Sequence, residues 1–60
     1  MKVTYYEYDQ YYNAFYRPIR TIENVLKVDF PASAYERRVT VITEQETLAI
    51  DIGNIISIEQ

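Results

Sequence analysis

At 60 residues, with no cysteine, no histidine and a single glycine, the chain lacks a disulfide staple, a thiolate or imidazole set for zinc, and a glycine-rich phosphate loop. Its 48% hydrophobic and 25% charged content is that of a globular domain rather than a disordered chain. The formal charge is −3, and from Glu44 onward every charged residue is an acid (Glu44, Glu46, Asp51, Glu59), which argues against a surface built to neutralise phosphates.

A single domain over residues 1–60 is expected. A domain of this size buries only about 60% of the surface that its unfolded chain exposes. Small scaffolds usually need a staple, and association with a partner or a second copy is the kind left open here. No apolar run is long enough to cross a bilayer, and the start MKVTYYEYDQ lacks the apolar core of a secretory signal. The expected compartment is therefore cytoplasmic, with no membrane partner.

In chain order, Lys2 to Tyr8 is a predicted strand, because valine and tyrosine favour the pleated conformation. The segment YYEYDQYYNAFY, residues 5–16, holds six of the seven tyrosines and Phe15. Read as a strand, it puts Tyr6, Tyr8, Tyr12 and Tyr16 on one face and Tyr5, Tyr11 and Phe15 on the other. Read as a helix, it gathers Tyr5, Tyr8, Tyr12 and Phe15 into one stripe. Residues 9–16 are left as a turn followed by a strand or a short helix, and under either reading there are more rings than so small a core can hide. Pro18 to Thr21 separates this segment from the strands of the second half.

Asn24 to Phe30 reads as a strand with Leu26, Val28 and Phe30 on one face, ended by Pro31. Ser33 is placed to cap one helical turn through Glu36. Arg37 to Glu44 is a β-branched strand, and Leu48, Ile50 and Ile52 alternate with Ala49 and Asp51 in the next. The intervening Glu44 to Thr47 suits a hairpin loop longer than two residues. Gly53-Asn54 punctuates the chain before a last strand, Ile55 to Glu59, that is apolar on both faces.

The fold class expected is mainly β: a small antiparallel sheet of four or five strands with one short helix or helical turn. The order of strand, polar loop, strand, Gly-Asn turn and short closing strand over Arg37 to Glu59 resembles the C-terminal end of small SH3-like barrels. That resemblance implies a partly open barrel with a 3₁₀ turn before the last strand. Such barrels bind peptides, single-stranded nucleic acid or copies of themselves, so it assigns no functional residue.

Function is sought in the tyrosines, which supply large contact area at low entropic cost and are enriched at binding hot spots. The expected site is a partner-binding surface of Tyr6, Tyr8, Tyr11, Tyr12 and Tyr16, with Arg17 and Arg20 at its rim, docking a protein or a second copy as a homodimer. A second candidate is the acidic patch of Glu44, Glu46, Asp51 and Glu59, suited to competing for a basic groove if the chain is a phage- or plasmid-type inhibitor of a host protein. One alternative is a single-strand nucleic-acid platform with Arg17, Arg20 and Lys27 as phosphate partners. Another is a purely structural homo-oligomer subunit. Of the adjacent Arg37 and Arg38, which point to opposite faces of a strand, one is expected to be ion-paired and one exposed.

No enzyme is expected, and no catalytic residue, metal ligand or cofactor is assigned. Without histidine or cysteine only carboxylate, lysine, hydroxyl or phenol chemistry remains. Glu44 with Glu46 could hold a hard cation, but such pairs more often decorate a loop. Glu7 with Asp9 would need a sugar-sized concavity that a domain this small rarely offers.

Overall fold

The computed structural model describes residues 1–7 and 17–60. Among these residues six short strands form two antiparallel three-stranded sheets, with almost no helix. The first sheet has the order β2-β1-β6, made of β1 (Lys2–Tyr6), β2 (Ile19–Ile22) and β6 (Ile55–Glu59). The second has the order β3-β4-β5, made of β3 (Lys27–Asp29), β4 (Arg38–Ile42) and β5 (Thr47–Asp51). Among the described residues the sheets do not close into a barrel, and there are six strands in place of the expected four or five.

The additional strand is β2. Pro18 to Thr21 reads as a separator because only Ile22 of β2 is buried. What makes it a strand is its partner: β1 lies in the middle of its sheet and pairs with β2 from Val3↔Ile22 to Tyr6↔Ile19. For the same reason β1 offers no free edge to an incoming peptide. Its other side is taken by β6, through Lys2↔Glu59 to Thr4↔Ser57, then Tyr5↔Ile55. Ile56 is the extra residue of that ladder, a bulge of the kind that bends a strand.

Period-two burial follows from the pleat. In β1 Val3 and Tyr5 point inward, and in β4 Val39 and Val41 do. With Ile22, Val25 and Ile50 they make the core, against which Met1, Val28, Leu48, Ile55 and Ile58 pack. Among the described residues only Val3, Val39 and Val41 are fully buried, and each of these valines is worth about 1.5–3 kcal/mol of burial.

Between β2 and β3 the chain turns a corner. Asn24 takes the left-handed conformation, φ 58°, which asparagine tolerates better than most residues. The Val25 amide then donates to the Met1 carbonyl at 2.9 Å and the Leu26 amide to that of Ile42 at 2.8 Å, so consecutive residues serve different sheets. This corner interrupts the strand expected from Asn24. Val25 is buried and Leu26 is 61% exposed, so the alternation read over Leu26, Val28 and Phe30 holds only within β3.

Ser33 organises a turn rather than a capped helix. Its hydroxyl accepts from the Tyr35 amide at 3.2 Å, while the Glu36 carboxylate accepts from the Arg38 amide at 3.3 Å instead of reaching back to Ser33. In the β4–β5 loop the Thr43 hydroxyl accepts from the amides of Gln45 and Glu46 and donates to the Glu46 carbonyl.

Among the described residues the helical element is a single 3₁₀ turn, Ile52–Asn54, where the chain passes from β5 to β6. Asp51 caps it by accepting from the Gly53 amide at 2.8 Å, and the Ile52 amide donates to the Arg37 carbonyl at 2.7 Å. Arg37 closes a two-point ion pair on Asp51, Nε to Oδ1 and Nη2 to Oδ2, each 3.2 Å.

Candidate functional site: a tyrosine-lined cleft

Three clefts of nearly equal volume, 390, 380 and 370 Å³, lie along the described residues, so size does not choose among them. Lining does. The first is formed by Asn24, Val25, Leu26, Glu44 and Gln45, and the third by both termini with Glu23 and Asn24. The second, of 380 Å³, lies between the end of β1 and the passage from β5 to β6, and it is the one with aromatic walls.

Tyr5, Tyr6 and Glu7 form one side of this cleft, Ala49, Ile50 and Asp51 of β5 the other, with Arg38 and Asn54 completing it. The pleat divides the two tyrosines. Tyr5 is buried in the core, where its hydroxyl accepts from Arg20 Nη1 at 3.3 Å. Tyr6 is half-buried and faces outward, with the Arg17 guanidinium 3.7 Å from its ring centroid.

Arg17 also donates from Nη2 to the Asn54 side-chain oxygen at 3.3 Å, tying the cleft's aromatic wall to the 3₁₀ turn. Its Nε is buried and finds no hydrogen-bond acceptor among the described residues. Such an orphan costs roughly 1–3 kcal/mol, against which stand the ring stack and the Asn54 bond. The Glu7 amide donates to the Pro18 carbonyl at 2.9 Å, so the residues flanking segment 8–16 are joined beside the cleft.

Of the expected partner-binding residues, Tyr6 and Arg17 meet at this cleft. Arg20 turns away from it: besides Tyr5, its guanidinium pairs with Glu46 at 3.1 Å, linking the first sheet to the β4–β5 loop. Both the Tyr5 hydroxyl and Glu46 hold the Arg20 pKa above its ordinary value, the hydrogen bond that Arg20 donates to Tyr5 contributing most. Tyr8, Tyr11, Tyr12 and Tyr16 lie outside the described residues.

The four C-terminal acids are placed apart in function. Glu46 answers Arg20, Asp51 answers Arg37 and Glu59 answers Lys2 at 3.1 Å, while Glu44 is exposed in the β4–β5 loop. The Asp51 carboxyl is held below its usual range, first by the Arg37 hydrogen bonds and then by the Gly53 amide. Lys27, the third proposed phosphate partner, is paired with Asp29 at 3.3 Å. Among the described residues no three acidic side chains gather to hold a metal ion, and no helix is long and apolar enough to cross a membrane.

Both adjacent arginines are exposed; Arg37 is ion-paired with Asp51, and Arg38 closes no ion pair among the described residues. Sequence reasoning missed that Arg38, Glu7 and Asn54 converge on one cleft. The signal lay in that same arginine pair: with one side chain held at the turn, the other must face away, beside β5.

Compared with protein-family models, with curated proteins and with solved structures, the chain matches none.

Proposed function

We propose that this chain is a non-catalytic protein-binding module whose docking surface is built on the cleft at Tyr6 and extends into the tyrosines of segment 8–16. The observation that carries this reading is the Arg17–Tyr6–Asn54 arrangement. It holds an outward-facing aromatic ring in a fixed position at the wall of a cleft, and a rigid aromatic anchor is what protein interfaces use at their hot spots. The described residues that flank this segment are tied next to that ring, by the Glu7–Pro18 hydrogen bond and the Arg17 stack.

The fold that suits this role is an SH3-like, partly open barrel. Supporting it are the strand order, the pairing of the first strand with the last, and the 3₁₀ turn that introduces β6. The nucleic-acid alternative has less support, since Arg20 and Lys27 each answer an acid and Arg17 is spent on Tyr6.

The test is affinity capture with the wild-type chain and with Tyr6→Leu, each checked for folding by circular dichroism. The reading expects a protein bound by the wild type and lost with the variant while the fold persists. Capture that is indifferent to Tyr6→Leu, or lost only along with the fold, would overturn it.

A further inference from the structure

The cleft carries two charges for which the described residues supply no ion pair. Lys2, Arg20, Lys27 and Arg37 each close an ion pair with an acid of their own chain. Glu7 and Arg38, which both line the cleft and are both exposed, close none through their side chains among the described residues. One surface therefore shows, among the described residues, a carboxylate and a guanidinium without an ion-pair partner.

Such a surface is self-complementary. Under a two-fold axis, residue i of one copy meets residue j of the other and the reverse, so a single pair of opposite charges yields two ion pairs. We propose that the cleft docks a second copy of this chain, with Glu7 of each copy paired to Arg38 of the other. This rests on reading the cleft as a protein-docking site and names its occupant.

Two further observations favour a second copy. Tyr35 is 97% exposed and stands three positions before Arg38, in a connection that also leaves Phe30 60% exposed. The connection ends at Arg38, which lines the cleft, so an exposed ring stands close in sequence to the charge that the proposal uses. Among the described residues only Val3, Val39 and Val41 are fully buried, and the sequence has no cysteine to form a disulfide, so association is one way for a small core to gain cover. Reciprocal charge pairing sets the register of the two copies, as complementary charge does at interfaces generally.

The experiment is sedimentation of the full chain from micromolar concentration upward, as wild type, Glu7→Arg, Arg38→Glu, the double variant, and an equimolar mixture of the two single variants. Both positions are exposed, so circular dichroism is expected to show all of them folded. The wild type should dimerise. Each single reversal should weaken the dimer by about tenfold or more, since it sets like charges face to face. The double variant and the mixture should both recover it, because each restores opposite charges at both contacts. Tyr35→Ser should weaken the dimer without touching the charges.

A chain that stays monomeric throughout, or a dimer indifferent to the reversals, would overturn the inference. In either case capture of another protein that is lost with Tyr6→Leu would leave the docking reading standing. Weakening by each single reversal together with recovery in the mixture is the decisive positive result, because a surface that sets position 7 against position 7 and position 38 against position 38 would recover in the mixture without being weakened by either reversal.

Discussion

The guanidinium carbon of Arg17 lies 3.7 Å from the centroid of the Tyr6 ring, and its Nη2 reaches Asn54 at 3.3 Å. A planar, delocalised cation can stack and donate at the same time, whereas an ammonium cannot. Arg17→Lys is therefore expected to cost about 1 kcal/mol of stability, and a double-mutant cycle with Tyr6→Leu to show coupling of about 0.5–1 kcal/mol. Urea unfolding of the four proteins measures both, and additive effects would mean that the stack contributes nothing.

The Asp51 carboxyl titrates below its ordinary range because Arg37 and the Gly53 amide hold its charged form. A depressed carboxyl contributes stability that is fully present above the unfolded-state value, about 3.9, and that disappears as the pH falls through the lower folded value. Thermal melts of wild type and Asp51→Asn are thus expected to differ at neutral pH and to converge in acid. A constant difference down to the acid limit would remove the linkage.

Gly53 does not need its conformational freedom, because its φ is not positive. A Cβ added there would lie 2.9 Å from Asp51 Oδ2 and 3.2 Å from Arg37 Nη2. Stiffening the unfolded chain with alanine should gain less than the disturbed clamp loses, so Gly53→Ala is expected to destabilise the wild type. In an Asp51→Ala background the obstacle is gone, and the same substitution should stabilise by about 0.4–1 kcal/mol. The informative quantity is the sign of the change in each background.

Val25 and Leu26 are neighbours with opposite fates at the corner after Asn24. Leu26→Ser should stay within about 0.5 kcal/mol of wild type, as exposed positions do. Val25→Ser, which places a hydroxyl in the core, should cost about 2 kcal/mol or more. Equal effects would mean that the left-handed corner at Asn24 is not kept in solution.

The strands that could be read from sequence are those whose pattern is set locally. Val39 with Val41, and Leu48 with Ile50, alternate cleanly; β5 and β6 lie within about a residue of their expected bounds, and β4 ends at Ile42, two residues before the expected Glu44. β2 could not be read, because its residues are mostly exposed and its strand character comes from β1 across the ladder. The corner at Asn24 was hidden as well: nothing in a run of alternating apolar residues says that one amide will serve Met1 and the next Ile42.

The same limit applies to the cleft. Tyr6 and Arg17 could be named from the composition of their segment, but Glu7, Arg38 and Asn54 meet only once two sheets face each other. The pairing of acids with bases is equally non-local. Arg20 and Glu46, or Lys2 and Glu59, are far apart in the chain, so an acidic C-terminal stretch read as a bare charge is largely answered in three dimensions.

The pairing of β1 with β6 bears on how the molecule is made. β1 is synthesised well before its partner β6, so the first sheet cannot be completed until Glu59 has left the ribosome. Until then Val3 and Tyr5 have only one neighbouring strand. Non-local pairing of this kind is slow and leaves apolar edges open while it waits. Assembly is thus late in its decisive step, and a chain cut short before Ile55 would keep the β3-β4-β5 ladder but lose one side of the strand around which the other sheet is built.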